Sequence, residues 1–365
     1  MQSWNIRCDR VEVGISAVGG QLDNVRFRTE RGEIAPMHVA PWADEPLPDD
    51  LPPMLRMLRG DFFCAPFGAS DMLPEEGRLH GTTANDTWKL IRSDPQCLEL
   101  ELARPLMGAR VRKRVSVRPG NAAVYQEHEF TGGRGALPIG HHAMLRVPEP
   151  VYLGFSRWIW GGTPPTPLEM DPTVGRSRLA YPQTFDDLSR VRLATGGAAD
   201  LSRFPALERH DDLLMLIADP ALPLAWSAAT APRAGWVWFA LRSPRTLSAT
   251  VLWMSHGGRD YQPWSGRHTH VIGIEDVTAF FHLGHRASSS PNFLSEQGYP
   301  TAVELTPDRS LSVRYVFGLV AAPPDFGRVR TIEPAPGGIM LSDEAEKQVF
   351  AAIDVDFVKG PPARH

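Results

Sequence analysis

A chain of 365 residues is longer than the usual single domain but within reach of one large all-β domain, and it can bury a core without disulfide or metal staples. A formal net charge of −4 offers no basic field for nucleic acid or an anionic membrane. Three scattered cysteines, Cys8, Cys64 and Cys97, form neither a metal spacing nor a disulfide framework, which fits a reducing cytosol.

The opening residues MQSWNIRCDR lack the apolar centre of a secretory leader, and no window approaches about 18 uncharged apolar residues. A cytoplasmic protein with no membrane contact is therefore expected. Proline and glycine are abundant but dispersed, as turn punctuation between many short elements.

Taken in order, VEVGISAVGG (11–20) and LDNVRFRT (22–29) read as a hairpin-like start. Residues 36–60 then form a proline-rich excursion that no central strand could contain, and a long surface loop is expected there. Alternation returns at TWKLIRS (87–93), LELELAR (98–104) and ARVRKRVSVRP (109–119). In the last, Val111, Lys113, Val115 and Val117 share one face, and Arg110, Arg112, Arg114 and Arg118 the other. One basic strand makes no nucleic-acid groove, so a solvated sheet face is expected.

VYQEHEF (124–130) and HHAMLRV (141–147) continue the series, and residues 148–205 break it with loops able to line a site. Strands resume at DLLMLIA (212–218), LAWSAAT (224–230), WVWFALR (236–242), SATVLWMSH (248–256), HVIGIEDV (270–277), TAVELTP (301–307) and SLSVRYVFGLV (310–320). DEAEKQVFAAI (343–353) has helical periodicity with a capping-box spacing from Asp343 to Glu346, which predicts a short C-terminal helix. A dozen or more short strands with little helix point to a single all-β domain over 1–365, a sandwich or a barrel, with excursions at 36–60 and 148–205.

The chemistry centres on RHTHVIGIEDVTAFFHLG (267–284). In an extended run, Val271, Gly273 and Glu275 share one face, and Ile272, Ile274 and Asp276 the other. A carboxylate among isoleucines is uncommon unless paired or put to use, and apolar surroundings raise its pKa toward a general base's range. The plainer reading is a structural acid at a strand end. His256, His268 and His270 stand close by in sequence, and RGDFFCAPFG (59–68), HGTTANDTW (80–88), HHAMLRVP (141–148) and LWMSHGG (252–258) place polar groups beside aromatic or glycine residues.

These motifs resemble the aldose 1-epimerases, or galactose mutarotase-like proteins. HGTTANDTW resembles that family's His-Gly followed by Trp, which implies that His80 contacts sugar, and Pro66-Phe67 matches its approach to that histidine. HHAMLRVP lies where the family has its general acid, and GIEDVT where it has its catalytic glutamate. The family's Asn-Arg step is Gly68-Ala69-Ser70-Asp71 here, and Ala143-Met144 stands where an aromatic and an asparagine are usual, so the substrate departs from the family's pattern. The resemblance implies a large antiparallel β-supersandwich and an isomerase that opens and recloses a sugar ring with no metal and no cofactor.

Glu275 is then the base and a histidine the acid, on opposite sides of the ring. His141 and His142 are adjacent and point to opposite faces of a strand, so only one can face the site; His142 is assigned to it. His80, His141, Asp211, Trp253 and His270 are the substrate-binding candidates, although Asp211 also reads as a solvated charge in RHDD and Trp253 as core. His268 and His270 stand at the rim or behind it, and Arg59, Arg78 or Arg267 could meet a phosphate or a uronate. Three other readings are open: a carbohydrate-binding protein without turnover; a uronate lyase on a similar sandwich; and a cupin-like metal enzyme using His268, His270 and Glu275, since strand spacing would put both histidines on one face.

Overall fold

HDDLLMLIA (His210–Ala218) and VIGIEDVT (Val271–Thr278) are buried at every position. A sheet open to water on one face would alternate instead. The computed structural model, which describes residues 2–72 and 78–359, shows both strands covered on two sides.

One large antiparallel sheet has the order Thr184–Phe185, Trp158–Gly162, His210–Ala218, Ala249–His256, Val271–Thr278, Ile139–His141, Phe63–Cys64, and Ala143–Arg146 also pairs with Val271–Thr278. The other runs Arg203–Phe204, Val151–Phe155, Ala225–Ala231, Trp236–Arg242, Leu311–Ala321, Ala123–Gly132, Ala109–Val117, Cys97–Leu102, Trp88–Asp94. Leu214, Leu216, Ile272 and Ile274 of the first meet Trp238, Tyr315 and Phe317 of the second in the central core. Alternate residues Leu213, Met215, Val251 and Val271 point the other way and need a second cover.

That cover corrects the expectation for residues 36–60. They are no solvated loop: Trp42 is fully buried, Pro53–Met57 is a helical turn, and Trp42, Met54 and Leu58 pack on the sheet's outer face with Phe280 and Phe281. On the far side, a small sheet of Val329–Ala335, Gly338–Asp343 and Gln348–Ala352 covers Val237, Phe239 and Leu241. The helix expected over 343–353 is therefore a turn and a strand, because pairing with Gly338–Asp343 overrides weak local propensity. The C-terminal helix is one turn, Asp356–Lys359. Residues 148–205 also carry more ladder than expected, with Val151–Phe155 and Trp158–Gly162 entering one large sheet each.

The basic strand behaves as expected on its outer face, where Arg112 meets Glu101 at 3.1 Å with both half-exposed. No helix among the described residues is long and apolar enough to cross a membrane.

The central core is not wholly apolar. Asp276 faces it and is fully buried against Arg242, with Nη1–Oδ1 at 2.8 Å. Arg242 also donates to the Leu247 carbonyl at 3.0 Å and to Thr250 Oγ1 at 2.8 Å, and Thr250 donates to Asp276 at 2.7 Å. Nearby, Asp61 accepts from Gln126 at 2.6 Å and meets His141 Nδ1 at 2.9 Å, while buried Lys113 donates to the Gly20 carbonyl at 2.7 Å. Burial pushes Lys113 down to about 8, and the nearby Asp61 resists that. Removing one partner of such a pair leaves an uncompensated charge in the core. Arg242→Met should therefore cost about 3–5 kcal/mol of unfolding free energy, read from urea denaturation.

Candidate active site

His142 and Glu275 are 133 positions apart in sequence but cross-strand neighbours in the sheet. Gly140 pairs with Val277 and Ala143 with Ile274, so the intervening register sets His141 opposite Asp276 and His142 opposite Glu275. The ladder is interrupted at His142, whose N–H donates to the Phe62 carbonyl at 2.9 Å. Nε2 of His142 lies 3.3 Å from Oε1 of Glu275, and Phe62 stacks on the imidazole at 4.7 Å.

Gly273 makes room for this pair. It precedes Glu275 on the same face, and a Cβ there would stand 2.5 Å from Glu275 Oε1. Only a residue without a side chain lets the carboxyl fold back beside its neighbour.

Burial alone raises Glu275 well above the usual carboxylate range, with no cation beside it to oppose the shift. Burial also lowers His142 to about 4. Both effects favour the uncharged forms, a carboxylic acid beside a neutral imidazole.

His80 sits above them at a turn with φ of 64°, its ring edge-on to His142 at 4.9 Å. Its Nδ1 accepts from the Gly68 N–H at 3.2 Å, so the neutral ring carries its proton on Nε2. Burial holds it far below its ordinary pKa. Trp253 crosses His142 at 5.8 Å.

His80, His142, Trp253 and Glu275 thus line one cavity of about 90 Å³. Leu55, Leu58 and Leu168 narrow it, and small-molecule sites usually run to about 300–1,000 Å³. A larger groove of about 470 Å³ lies along residues 153–158, 186–188 and 328–330; its lining has Asp186 and Asp187 but no histidine.

Other candidates are placed elsewhere. His141 points into the central core, hydrogen-bonded to Asp61 and stacked on Tyr315 at 4.1 Å, because strand alternation sends it away from His142. Asp211 is neither solvated nor in the cavity: Trp253 Nε1 donates to it at 2.7 Å and Ser255 at 2.6 Å, so it anchors the indole from behind. His268 shares that supporting role, with Nδ1 2.7 Å from Ser255 and its ring stacked on Trp253 at 5.2 Å.

His270 is exposed, with φ of 58°, and its N–H donates to His256 at 3.0 Å. That turn takes it off the face of His268, against the shared-face expectation, and among the described residues no group of three His, Cys, Asp or Glu is placed to hold a metal. Arg59, Arg78 and Arg267 pair instead with Asp23, Asp86 and Glu45.

Sequence reasoning missed two polar members of the wall, His282 and Arg259. His282 stands in FFHLGH with no motif to mark it, and burial lowers it to about 4. Arg259 follows His256-Gly-Gly just beyond the Trp253 strand, the one available signal. Its guanidinium lies over Trp264 at 4.6 Å and 3.3 Å from Asp211.

No protein-family model and no curated protein matches the chain. Solved structures do. A galactose mutarotase related enzyme from Lactobacillus acidophilus aligns over 89% of this chain and 99% of its own at 12% identity, with a TM-score of 0.53. A candidate aldose 1-epimerase from Escherichia coli K12 aligns over 88% and 99% at 12% identity, with a TM-score of 0.57. A galactose mutarotase-like protein from Lactobacillus casei aligns over 87% and 100% at 12% identity, with a TM-score of 0.53. At such identity the likeness is one of fold: the chain has the antiparallel sandwich of galactose mutarotase-like proteins.

Burial raises the folded Glu275 carboxyl above its ordinary 4.5 and leaves the unfolded one there, so the native state is penalised increasingly as pH rises past that value. Glu275→Gln should unfold at higher urea than wild type at pH 7.5, and the gain should vanish at pH 4.

Proposed function

We propose that the protein is an aldose 1-epimerase-like isomerase, interconverting the anomers of a sugar or sugar derivative by acid–base ring opening and reclosure. The observation that carries this reading is the contact of His142 Nε2 with Glu275 Oε1 at 3.3 Å on the wall of an apolar cavity beside Trp253. The contact departs from the expected arrangement, in which a sugar ring separates the two groups. Side by side, they suit a different approach. The ring oxygen and the anomeric hydroxyl are borne by one carbon, so an acid and a base next to each other can serve both from one edge of the sugar.

The directions of the two shifts suit an exchange of the roles assigned from sequence. Glu275 begins as the acid and gives its proton to the ring oxygen; neutral His142 takes the proton of the anomeric hydroxyl as the C1–ring-oxygen bond breaks. The open aldehyde then faces a carboxylate and an imidazolium in contact, an ion pair that the surrounding apolar walls strengthen. Rotation about the C1–C2 bond and return of both protons close the other anomer. His80, with its proton on Nε2, is a neutral donor for a sugar oxygen, and Trp253 supplies a flat apolar face.

A carbohydrate-binding protein without turnover is the second reading. On either reading a hexose enters only if the leucines at the rim give way.

A coupled mutarotation assay across aldoses and their acidic and phosphorylated derivatives separates the two. Glu275→Gln and His142→Asn should each lower turnover by about 10²–10⁴-fold while sugar binding persists. A wild-type protein that binds sugar and turns none over would sink the enzyme reading.

A further inference from the structure

Arg259 is the one cation lining the cavity among the described residues, and its present partner comes from the chain itself. Nε of Arg259 lies 3.2 Å from Glu169 Oε1, yet it is buried and makes no hydrogen bond. The pair is in Coulomb contact without the directed geometry a guanidinium usually reaches with a carboxylate.

Glu169 sits on an arm with little else to hold it. Among the described residues no backbone hydrogen bond ties down 164–170, whereas residues 174–176 just after it are pinned to 258–260. Side chains keep the arm in place: Leu168 in the cavity wall, and Glu169 on Arg259 and the Tyr261 hydroxyl. Lifting it would at once widen a cavity too small for a sugar and free the outer edge of Arg259.

We propose that Glu169 stands in for a carboxylate of the substrate, so that the sugar accepted here is a uronate or related sugar acid, which displaces the arm and takes the Nε edge of Arg259. This rests on the reading of the cavity as a sugar site. The charges at the position discriminate within anions. Arg259 stands between the carboxyls of Asp211 and Glu169. Exchanging Glu169 for one substrate carboxylate conserves the local balance, whereas a dianionic phosphate would add a further negative charge beside Asp211. The planar fork of arginine also suits a carboxylate in the same way it now faces Glu169.

The test is calorimetric binding of galacturonate and glucuronate against galactose, glucose and the hexose 6-phosphates. Wild type should bind the uronates in preference to both other groups. Glu169→Gln loosens an arm that every sugar must lift, so it should tighten uronates severalfold more than it tightens neutral sugars. Arg259→Lys, which keeps the charge and loses the fork, should weaken uronates by about 10–100-fold. Equal binding of acidic and neutral sugars, tighter binding of the phosphates, or a Glu169→Gln variant with unchanged uronate affinity would overturn the proposal. Uronate binding that depends on Arg259 without turnover of any sugar would remove the epimerase reading and retain this one; turnover of neutral aldoses with no preference for uronates would do the reverse.

Discussion

The structure turns on one register. Where Gly140 meets Val277 and Ala143 meets Ile274, two adjacent pairs of polar residues fall opposite each other. Strand alternation then divides them. His142 and Glu275 go to the outer face and the cavity; His141 and Asp276 go to the core between the sheets. A slip of one residue in Val271–Thr278 would turn Glu275 into the sandwich and Asp276 toward the site, breaking both pairs.

The inner pair secures that register. Asp276 is locked to Arg242 and Thr250, and His141 to Asp61, which also holds Gln126. Directional bonds tie these groups together, although Asp61 Oδ1, Gln126 Oε1, His141 Nε2 and Asp276 Oδ2 are buried without a partner, and the strands that carry Glu275 and His142 have few alternative alignments. The outer pair is the opposite case. Glu275 has neither a cation nor a cluster of donors around it, and burial disfavours the charged form of both it and His142. The same two strands thus supply a hydrogen-bonded polar core on one side and an acid–base couple in apolar surroundings on the other.

The outer cover decides what reaches that couple. The 36–60 excursion contributes Met54, Leu55 and Leu58, and the arm at 164–170 contributes Leu168, so the cavity is enclosed by segments other than the strands that bear its chemistry. Its polar groups gather at His80, His142, Glu275, His282 and Arg259. Arg259 is supported by Trp264 and Asp211 and capped by Glu169.

Much of this was legible in the sequence. Period-two patterns and glycine and proline punctuation indicated an all-β sandwich or barrel; the isolated acid in VIGIEDVT marked Glu275; and adjacency of two histidines required that only one face the site. The unbroken apolar run in DLLMLIA was read only as a strand, and the composition of 36–60 looked like a solvated loop, so the cover on the sheet's outer face was missed. Local pattern failed where pairing partners overrode propensity, as in 343–353, and where a single dihedral turned a residue away, as at His270. It also could not place Asp211 behind Trp253 or bring Arg259 and His282 to the wall. Those contacts join segments far apart in the chain, and no local period encodes which of them meet. Sequence by itself determined the fold class and the chemical types available. The tertiary register decided which groups touch and how deeply they are buried, because those contacts join segments far apart in the chain.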